Sequence, residues 1–142
     1  MIRRLSVCTR DCEAIDTLVS VHAPNTKLAL DCTWGKGSMW EGYSPLYKRI
    51  RLDIDSYGSP DLLADYLHLP FLPNTFDLIV WDPPHLEDVG SSSIMATYNR
   101  HAGGNIESAS PAFVASARGV LKPGGLLLMK IADSVHGNKY QW

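Results

Sequence analysis

The sequence has few cysteines and gives no sign of a disulfide or metal framework. Its 142 residues include three cysteines, Cys8, Cys12 and Cys32. An odd number without framework spacing argues against a disulfide scaffold and favours free thiols in a reducing compartment. Cys8 and Cys12 form a CxxxC pair, but residue 15, where a third iron–sulfur ligand would be expected, is isoleucine. The five histidines are scattered, so we expect no metal site.

The chain also lacks a long apolar run and an excess of either charge. No segment approaches the roughly 20 apolar residues of a membrane-spanning helix, and the N-terminus does not have the basic-then-apolar pattern of a signal peptide. We therefore predict a cytoplasmic protein without a membrane partner. The net charge of −2 argues against a broad phosphate-binding face. The exceptions are two basic clusters, Arg3, Arg4 and Arg10, and Lys48, Arg49 and Arg51. They are either solvated surface or a nucleic-acid contact.

Hydrophobic spacing predicts two helices and several short buried strands. Residues 11–22 have apolar side chains at helical spacing, with acids in the first turn. Residues 110–121 form the second predicted helix, with Ser110 as its N-cap and Pro111 at its first position. The residues KPGG at 122–125 are expected to end this helix. The predicted strands are 27–32, 49–55, 60–66, 76–82 and 125–133.

Near-continuous apolar strands separated by helices or loops indicate an α/β fold, with a mostly parallel sheet and helices on both faces. The whole chain, 1–142, is expected to form one domain. Ligands of such sheets bind beyond the carboxyl ends of the strands, so the residues that follow each strand are the candidate site. The segment 90–105 is rich in small and polar residues, and a loop of that length is usually functional or mobile.

Two glycines follow the first predicted strand. Gly35 and Gly37, four and six residues after Asp31, allow a sharp turn and close approach to a ligand. The third glycine of a dinucleotide fingerprint would fall at residue 40, which is Trp40, so that motif is absent. On their own, these glycines are equally consistent with an ordinary tight turn.

Further acids follow the next two predicted strands. Asp53 could accept both hydrogen bonds of a ribose diol, although Asp55 competes for that role two residues later. Asp65 could accept a hydrogen bond from an adenine amino group, or it could cap a turn. Together with Asp31 and the glycines, these acids predict a pocket for an adenosine that carries positive charge.

With these residues in register, 27–133 resembles the class I S-adenosylmethionine-dependent methyltransferases, especially those that methylate exocyclic amino nitrogens of nucleic-acid bases. LALDCTWGKG is similar to the first motif of the family, and RLDID to its ribose-binding segment. ADYLHLPFLPNTFDLIVWDPP follows the run into its catalytic strand, and LKPGGLLLMKI the start of its fifth strand. The resemblance implies a Rossmann-like class I methyltransferase fold.

The resemblance also implies S-adenosylmethionine as cofactor. Asp53 would bind the ribose, Ile54 would pack on the adenine, and Thr33 stands where the family usually has a small residue or phenylalanine. The implied cofactor-binding residues are Asp31, Thr33, Gly35, Gly37, Asp53, Ile54, Asp65 and Tyr66.

The DPPH segment occupies the place of the family's Asp/Asn-Pro-Pro-aromatic motif, which makes Asp82, Pro83, Pro84 and His85 the implied catalytic residues. An amino group conjugated to a base is a poor nucleophile. The Asp82 carboxylate and the Pro83 carbonyl could each accept one N–H and aim the nitrogen lone pair at the sulfonium methyl, while the proline pair keeps both acceptors preorganised. His85 departs from the pattern, because it offers a smaller stacking face and could also accept a proton.

The expected activity is methyl transfer to adenine N6 or cytosine N4, with DNA favoured over RNA as the nucleic-acid substrate. One alternative is a non-catalytic, S-adenosylmethionine-binding subunit of a methyltransferase complex; another is methylation of a protein amide or a small molecule. Family members usually add two strands beside the fifth. We therefore expect a sheet without the last two strands and without a separate target-recognition domain. The strand at 126–132 would then lie at a sheet edge. Either another copy of the chain or a partner subunit covers this edge, or these residues are part of a longer product, or a compact variant tolerates the exposed edge.

Overall fold

The computed structural model describes residues 8–83, 106–131, 134–136 and 139–141. The described helices are α1, Asp11–His22, and α2, Ile106–Val120. The main sheet consists of β1, Leu28–Asp31, β2, Lys48–Asp53, β3, Leu62–Leu63, β4, Phe76–Trp81, and β5, Leu121–Met129. Two further short strands, β6, Ser134–His136, and β7, Lys139–Gln141, pair with each other as an antiparallel two-stranded sheet.

All four pairings in the main sheet are parallel, and the strand order is β3-β2-β1-β4-β5. The predicted α/β class and parallel sheet are therefore confirmed. The chain runs from β1 to β2 and then β3 on one side of β1. It then crosses to the other side, where β4 pairs with β1 and β5 pairs with β4. The strand order thus reverses between β1 and β4, and the crevice at such a reversal is where open α/β sheets bind ligands.

Each face of the sheet is covered by one of the described helices. On one face, Phe113 and Ala117 of α2 are fully buried against Ile79 and Trp81 of β4. The rings of Trp81 and Phe113 stack with their centroids 4.3 Å apart. Large stacked aromatic surfaces of this kind contribute strongly to a core.

On the opposite face, Ile15 and Val19 of α1 pack against Leu78 and Val80. Residues 78–81 of β4 thus face the two helices alternately, as the pleat of a strand requires. Because both faces of β4 are buried, its sequence is a nearly continuous apolar run.

Helix α2 begins one turn earlier than the sequence predicts. Ser110 is not its N-cap, and Pro111 lies inside the helix that starts at Ile106. A proline there removes one backbone hydrogen bond. The extra turn buries Ala109, which continues the apolar row of Phe113 and Ala117. The predicted loop at 90–105 lies outside the described residues.

Strand β5 also begins earlier than predicted, directly after α2. Phe76 pairs with Leu121, whereas Leu78 pairs with Leu126, so the KPGG segment is accommodated as an irregularity in the ladder. Gly124 has a left-handed φ of 76° there. The segment does end the helix, as expected. In the described part of the chain, β5 is the edge of the five-stranded order.

All three cysteines are free thiols, and Cys12 and Cys32 are buried. Neither described helix combines the length and the apolarity needed to cross a bilayer.

Candidate functional site

The carboxyl end of β1 carries a buried carboxylate. Asp31 is 2% exposed. Its Oδ2 accepts a hydrogen bond from Trp40 Nε1 at 2.6 Å, and its Oδ1 accepts one from the Thr33 amide at 3.0 Å. Burial raises the pKa of Asp31 to about 6, although both hydrogen bonds act in the opposite direction. Asp31 thus orders the start of the loop that follows β1; its contact with a cofactor stays a prediction.

The sequence predicted a sharp turn at the two glycines of that loop, and both have a left-handed conformation, with φ of 53° at Gly35 and 74° at Gly37. A Cβ on Gly35 would meet no atom within 4 Å, whereas one on Gly37 would lie 2.4 Å from the Trp34 ring. The space where a side chain would stand is therefore filled at Gly37 and open at Gly35.

The end of β2 holds the same loop through Asp53. Its Oδ2 accepts a hydrogen bond from the Gly35 amide at 2.7 Å, and its Oδ1 accepts one from the Asp55 amide at 3.0 Å. Since each carboxylate oxygen has two lone pairs, both retain acceptor capacity. Asp55 accepts from the Tyr57 amide in its own turn. Ile54 is 42% exposed beside Asp53.

The turn after β2 packs directly on the glycine loop. Trp34 Nε1 donates to the Gly58 carbonyl at 2.8 Å, and a Cβ on Gly58 would lie 1.7 Å from the Gly35 carbonyl oxygen. Only glycine fits there. These contacts fix the position of the loop between β1 and β2.

The end of β3 matches the turn-capping alternative. Asp65 Oδ1 accepts from the Leu67 amide at 2.8 Å and caps a short 3₁₀ turn, Tyr66–His68. His68 Nδ1 lies 3.5 Å from the other carboxylate oxygen. Contact between Asp65 and adenine stays a prediction.

Tyr66 lies within the core below that turn. Its side chain is 7% exposed, and its ring meets Trp81 and Phe113 edge to face, at centroid distances of 5.5 and 5.7 Å. The structure thus places Tyr66 in the packing against α2, separate from the exposed Ile54.

The end of β4 carries a more accessible carboxylate, Asp82, whose side chain is 26% exposed. Its amide donates to Thr33 Oγ1 at 2.8 Å. Since Thr33 also donates its own amide to Asp31, this residue joins the ends of β1 and β4. Pro83 is buried, and the predicted catalytic residues Pro84 and His85 lie outside the described residues.

Lys130 is the residue at this site that the sequence did not identify. Its Nζ lies 3.5 Å from Asp82 Oδ2 and 3.0 Å from Asp11 Oδ2. Burial lowers the pKa of Lys130, but its interactions with Asp11 and Asp82 raise it by more, so the net shift is upwards. Lys130 follows β5 as Asp82 follows β4, and its amide donates to the Trp81 carbonyl. The sequence predicted a strand over 125–133, with Lys130 inside it, so the rule that placed Asp82 at the carboxyl edge did not find Lys130; the strand ends at Met129.

The structure brings the predicted residues into two groups. The first joins Asp31, Thr33 and Asp82 where the strand order reverses, and the second joins Gly35 to Asp53. Comparison of the chain with protein-family models, with curated protein sequences and with solved structures gives no match. No group of three or more His, Cys, Asp or Glu side chains in the described stretches could hold a metal ion.

Proposed function

We propose that the protein is an S-adenosylmethionine-dependent methyltransferase that acts on the exocyclic amino nitrogen of a nucleic-acid base. Adenine N6 and cytosine N4 are the proposed acceptors, with DNA favoured over RNA. One observation carries the proposal: Thr33 ties Asp82 to the loop after β1 at the reversal of strand order. The sequence resemblance places a catalytic carboxylate at that position.

The residues at the end of β2 fit the ribose and adenine of the cofactor. Asp53 has acceptor capacity left on both oxygens for a ribose diol, and Ile54 offers an exposed apolar side chain to the adenine. The backbone at Gly35 leaves open space where a side chain would otherwise stand. When bound, the cofactor supplies an activated methyl group on a sulfonium.

Asp82 is proposed to orient the amino group of the base. Its carboxylate accepts one N–H and the Pro83 carbonyl accepts the other, so the nitrogen lone pair points away from both acceptors. Thr33 holds the Asp82 backbone, and Lys130 contacts its carboxylate. Acceptors fixed before the substrate arrives need no reorganisation during the reaction. The carboxylate also offers a site for the proton that the nitrogen loses.

The cofactor site is tested by calorimetry with S-adenosylmethionine. Asp53→Ala is expected to weaken binding by about tenfold or more, because it removes the proposed acceptor of charge-assisted hydrogen bonds from the ribose. Asp55→Ala is the matched control and should bind as the unmodified chain does. Unchanged affinity in Asp53→Ala, or no binding by the unmodified chain, would contradict the proposed pocket.

The reaction is tested by transfer of tritium from methyl-labelled cofactor to unmodified DNA, RNA and protein, followed by mass analysis of the nucleosides. We expect methylation of adenine N6 or cytosine N4, with DNA the better substrate. Label found in protein alone would contradict the proposed substrate class. Cofactor binding without label in any pool would instead support a non-catalytic subunit.

A further inference from the structure

A concave feature lies on the face of the sheet that α1 covers, over β2. It is an open cleft of about 410 Å³ lined by Tyr43, Tyr47, Arg49, Arg51 and Asp61, among other residues. We call it the arginine cleft. Arg49 and Arg51 share this face because they are two residues apart on one strand.

Arg49 enters the cleft with part of its hydrogen-bonding capacity unused. Its guanidinium lies 4.2 Å from the ring centroid of Trp40 and 5.2 Å from that of Trp34. In a cation–π contact the positive charge is attracted to the face of the aromatic ring. Such a contact does not use the N–H groups as hydrogen-bond donors, because these groups lie in the guanidinium plane. Among the described residues, none accepts a hydrogen bond from Nε or Nη1, both of which are buried.

The neighbouring Arg51, unlike Arg49, is paired with a carboxylate. Its Nε and Nη2 donate to Asp61 Oδ2 and Oδ1 at 2.9 and 2.5 Å. This two-point contact balances the charges of Arg51 and Asp61. Arg49 therefore supplies the net positive charge among these three residues, and burial lowers the pKa of its guanidinium. Asp61 is the one acidic side chain among the described residues that line the cleft, and Arg51 already pairs with it. The buried Asp31 also attracts Arg49, but it lies outside the cleft lining.

The geometry points to the arginine cleft as a binding site for the phosphate group of a nucleotide, either free or within a nucleic-acid strand. A phosphate brings negative charge and several acceptor oxygens, the combination that guanidinium groups recognise best. The cleft volume lies within the usual range for small-molecule sites. It leaves room for the rest of a nucleotide beside Tyr43 and Tyr47. The inference does not depend on the proposed methyl transfer.

The probes are inorganic phosphate, thymidine 5′-monophosphate, thymidine and oligothymidylate, with binding measured by calorimetry at low ionic strength. Thymine has no exocyclic amino group, so these probes do not test the proposed methyl acceptor. We expect both phosphate and thymidine 5′-monophosphate to bind, and thymidine to bind far more weakly. Added salt should weaken binding. No binding of either phosphate probe would overturn the inference.

Two substitutions locate the site. Arg49→Gln should weaken binding of thymidine 5′-monophosphate by about tenfold or more, because one charge-assisted contact is lost. Lys48→Gln is the matched control: it removes the same charge from the adjacent, exposed residue and should leave affinity within about twofold. Equal losses in the two variants would show a diffuse charge effect and overturn the site.

Asp61→Asn tests the same site by a gain of affinity. Replacing the carboxylate with a neutral amide removes the charge that balances Arg51 and raises the net positive charge of the cleft, so thymidine 5′-monophosphate should bind several-fold more tightly. Misfolding would not produce tighter binding at this site. Weaker binding in Asp61→Asn would contradict the inference.

The source of the phosphate is decided by comparing the probes. Oligothymidylate that binds more tightly than the mononucleotide, and loses affinity in Arg49→Gln, supports a nucleic-acid strand as the ligand. Tighter binding of the mononucleotide, with the same sensitivity to Arg49→Gln, supports a free nucleotide. Either outcome supports phosphate recognition by the cleft.

Discussion

The ends of β1 and β4 lie side by side and each carries an aspartate, but the two carboxylates have different surroundings. Asp31 is enclosed and accepts hydrogen bonds from Trp40 and Thr33. Asp82 is partly exposed, and its carboxylate lies near the ammonium group of Lys130. Thr33 contacts both residues, since it donates to the first and accepts from the amide of the second.

The different surroundings suit the two aspartates to different roles, a structural one and a chemical one. A carboxylate shielded from water and held by fixed donors organises the loop that begins beside it, at a cost in stability because the charge is buried. A carboxylate at the open end of the next strand can meet a substrate. The proposed methyl transfer assigns the chemistry to Asp82 and the support to Asp31.

The largest expected effect concerns the pH dependence of stability at Asp31. Its pKa is about 6 in the folded chain, against about 3.9 when unfolded. The folded state therefore binds more protons between these values, and the cost of ionising Asp31 disappears as the pH falls from 6 to 4. Relative to Asp31→Asn, the unmodified chain should gain about 3 kcal/mol of unfolding free energy between pH 7 and pH 3.

Urea unfolding of both chains at several pH values measures this gain. The variant has no titrating group at residue 31, so the difference between the two curves isolates Asp31. Curves that stay parallel from pH 7 to pH 4 would show that the carboxylate is not buried as described.

A smaller effect is expected when the donor to Asp31 is removed. Trp40→Phe deletes the indole N–H and should lower the unfolding free energy at neutral pH by about 2 kcal/mol, the usual range for a hydrogen bond to a charged group. The loss should shrink near pH 4, where Asp31 is protonated.

Trp34→Phe is the matched control for that substitution. It removes an indole N–H that donates to the exposed, neutral carbonyl of Gly58, so a loss of about 1 kcal/mol or less is expected. Chemical denaturation of the two variants provides the comparison. Equal losses would show that the charge of Asp31 adds nothing to its bond with Trp40.

The smallest effect on stability is expected at the end of β4. Lys130→Met should change the unfolding free energy by less than about 1 kcal/mol, because Lys130 and Asp11 are well exposed and solvent screens their charges. Loss of the contact with Asp82 should nevertheless lower the proposed methyl-transfer kcat by about tenfold through poorer positioning. The KM for the cofactor should stay unchanged.

Steady-state kinetics with Lys122→Met provide the control. Lys122 pairs with Asp77 at the opposite end of β4, at 2.8 Å. If both lysine variants have the same kcat, Lys130 does not position Asp82.

Local patterns in the sequence predicted most of the framework. Helix α1 has the predicted limits, and all five strands of the main sheet lie within or overlap the predicted segments. These elements depend on apolar spacing over a few residues, which a sequence displays directly. The predicted start of α2 was wrong: Pro111 indicated a first turn, whereas the helix already begins at Ile106 and its added turn buries Ala109.

The contacts within the candidate site were less predictable. We predicted Asp53 and Asp82 as site residues because parallel sheets bind ligands beyond the carboxyl ends of their strands. Which indole reaches Asp31, and which cation reaches Asp82, depends on strand register and on contacts between distant segments. Lys130 and Asp82 are 48 residues apart, and only the pairing of β4 with β5 makes them neighbours.

The most direct test of the central claim compares Asp82→Ala with the unmodified chain in the tritium-transfer assay, alongside calorimetry with S-adenosylmethionine. Loss of the preorganised acceptor should reduce transfer to the base by about 100-fold or more, while cofactor affinity stays within about twofold. Asp55→Ala should retain both properties. Full transfer by Asp82→Ala would contradict the account, because the carboxylate at the end of β4 would then take no part in the reaction.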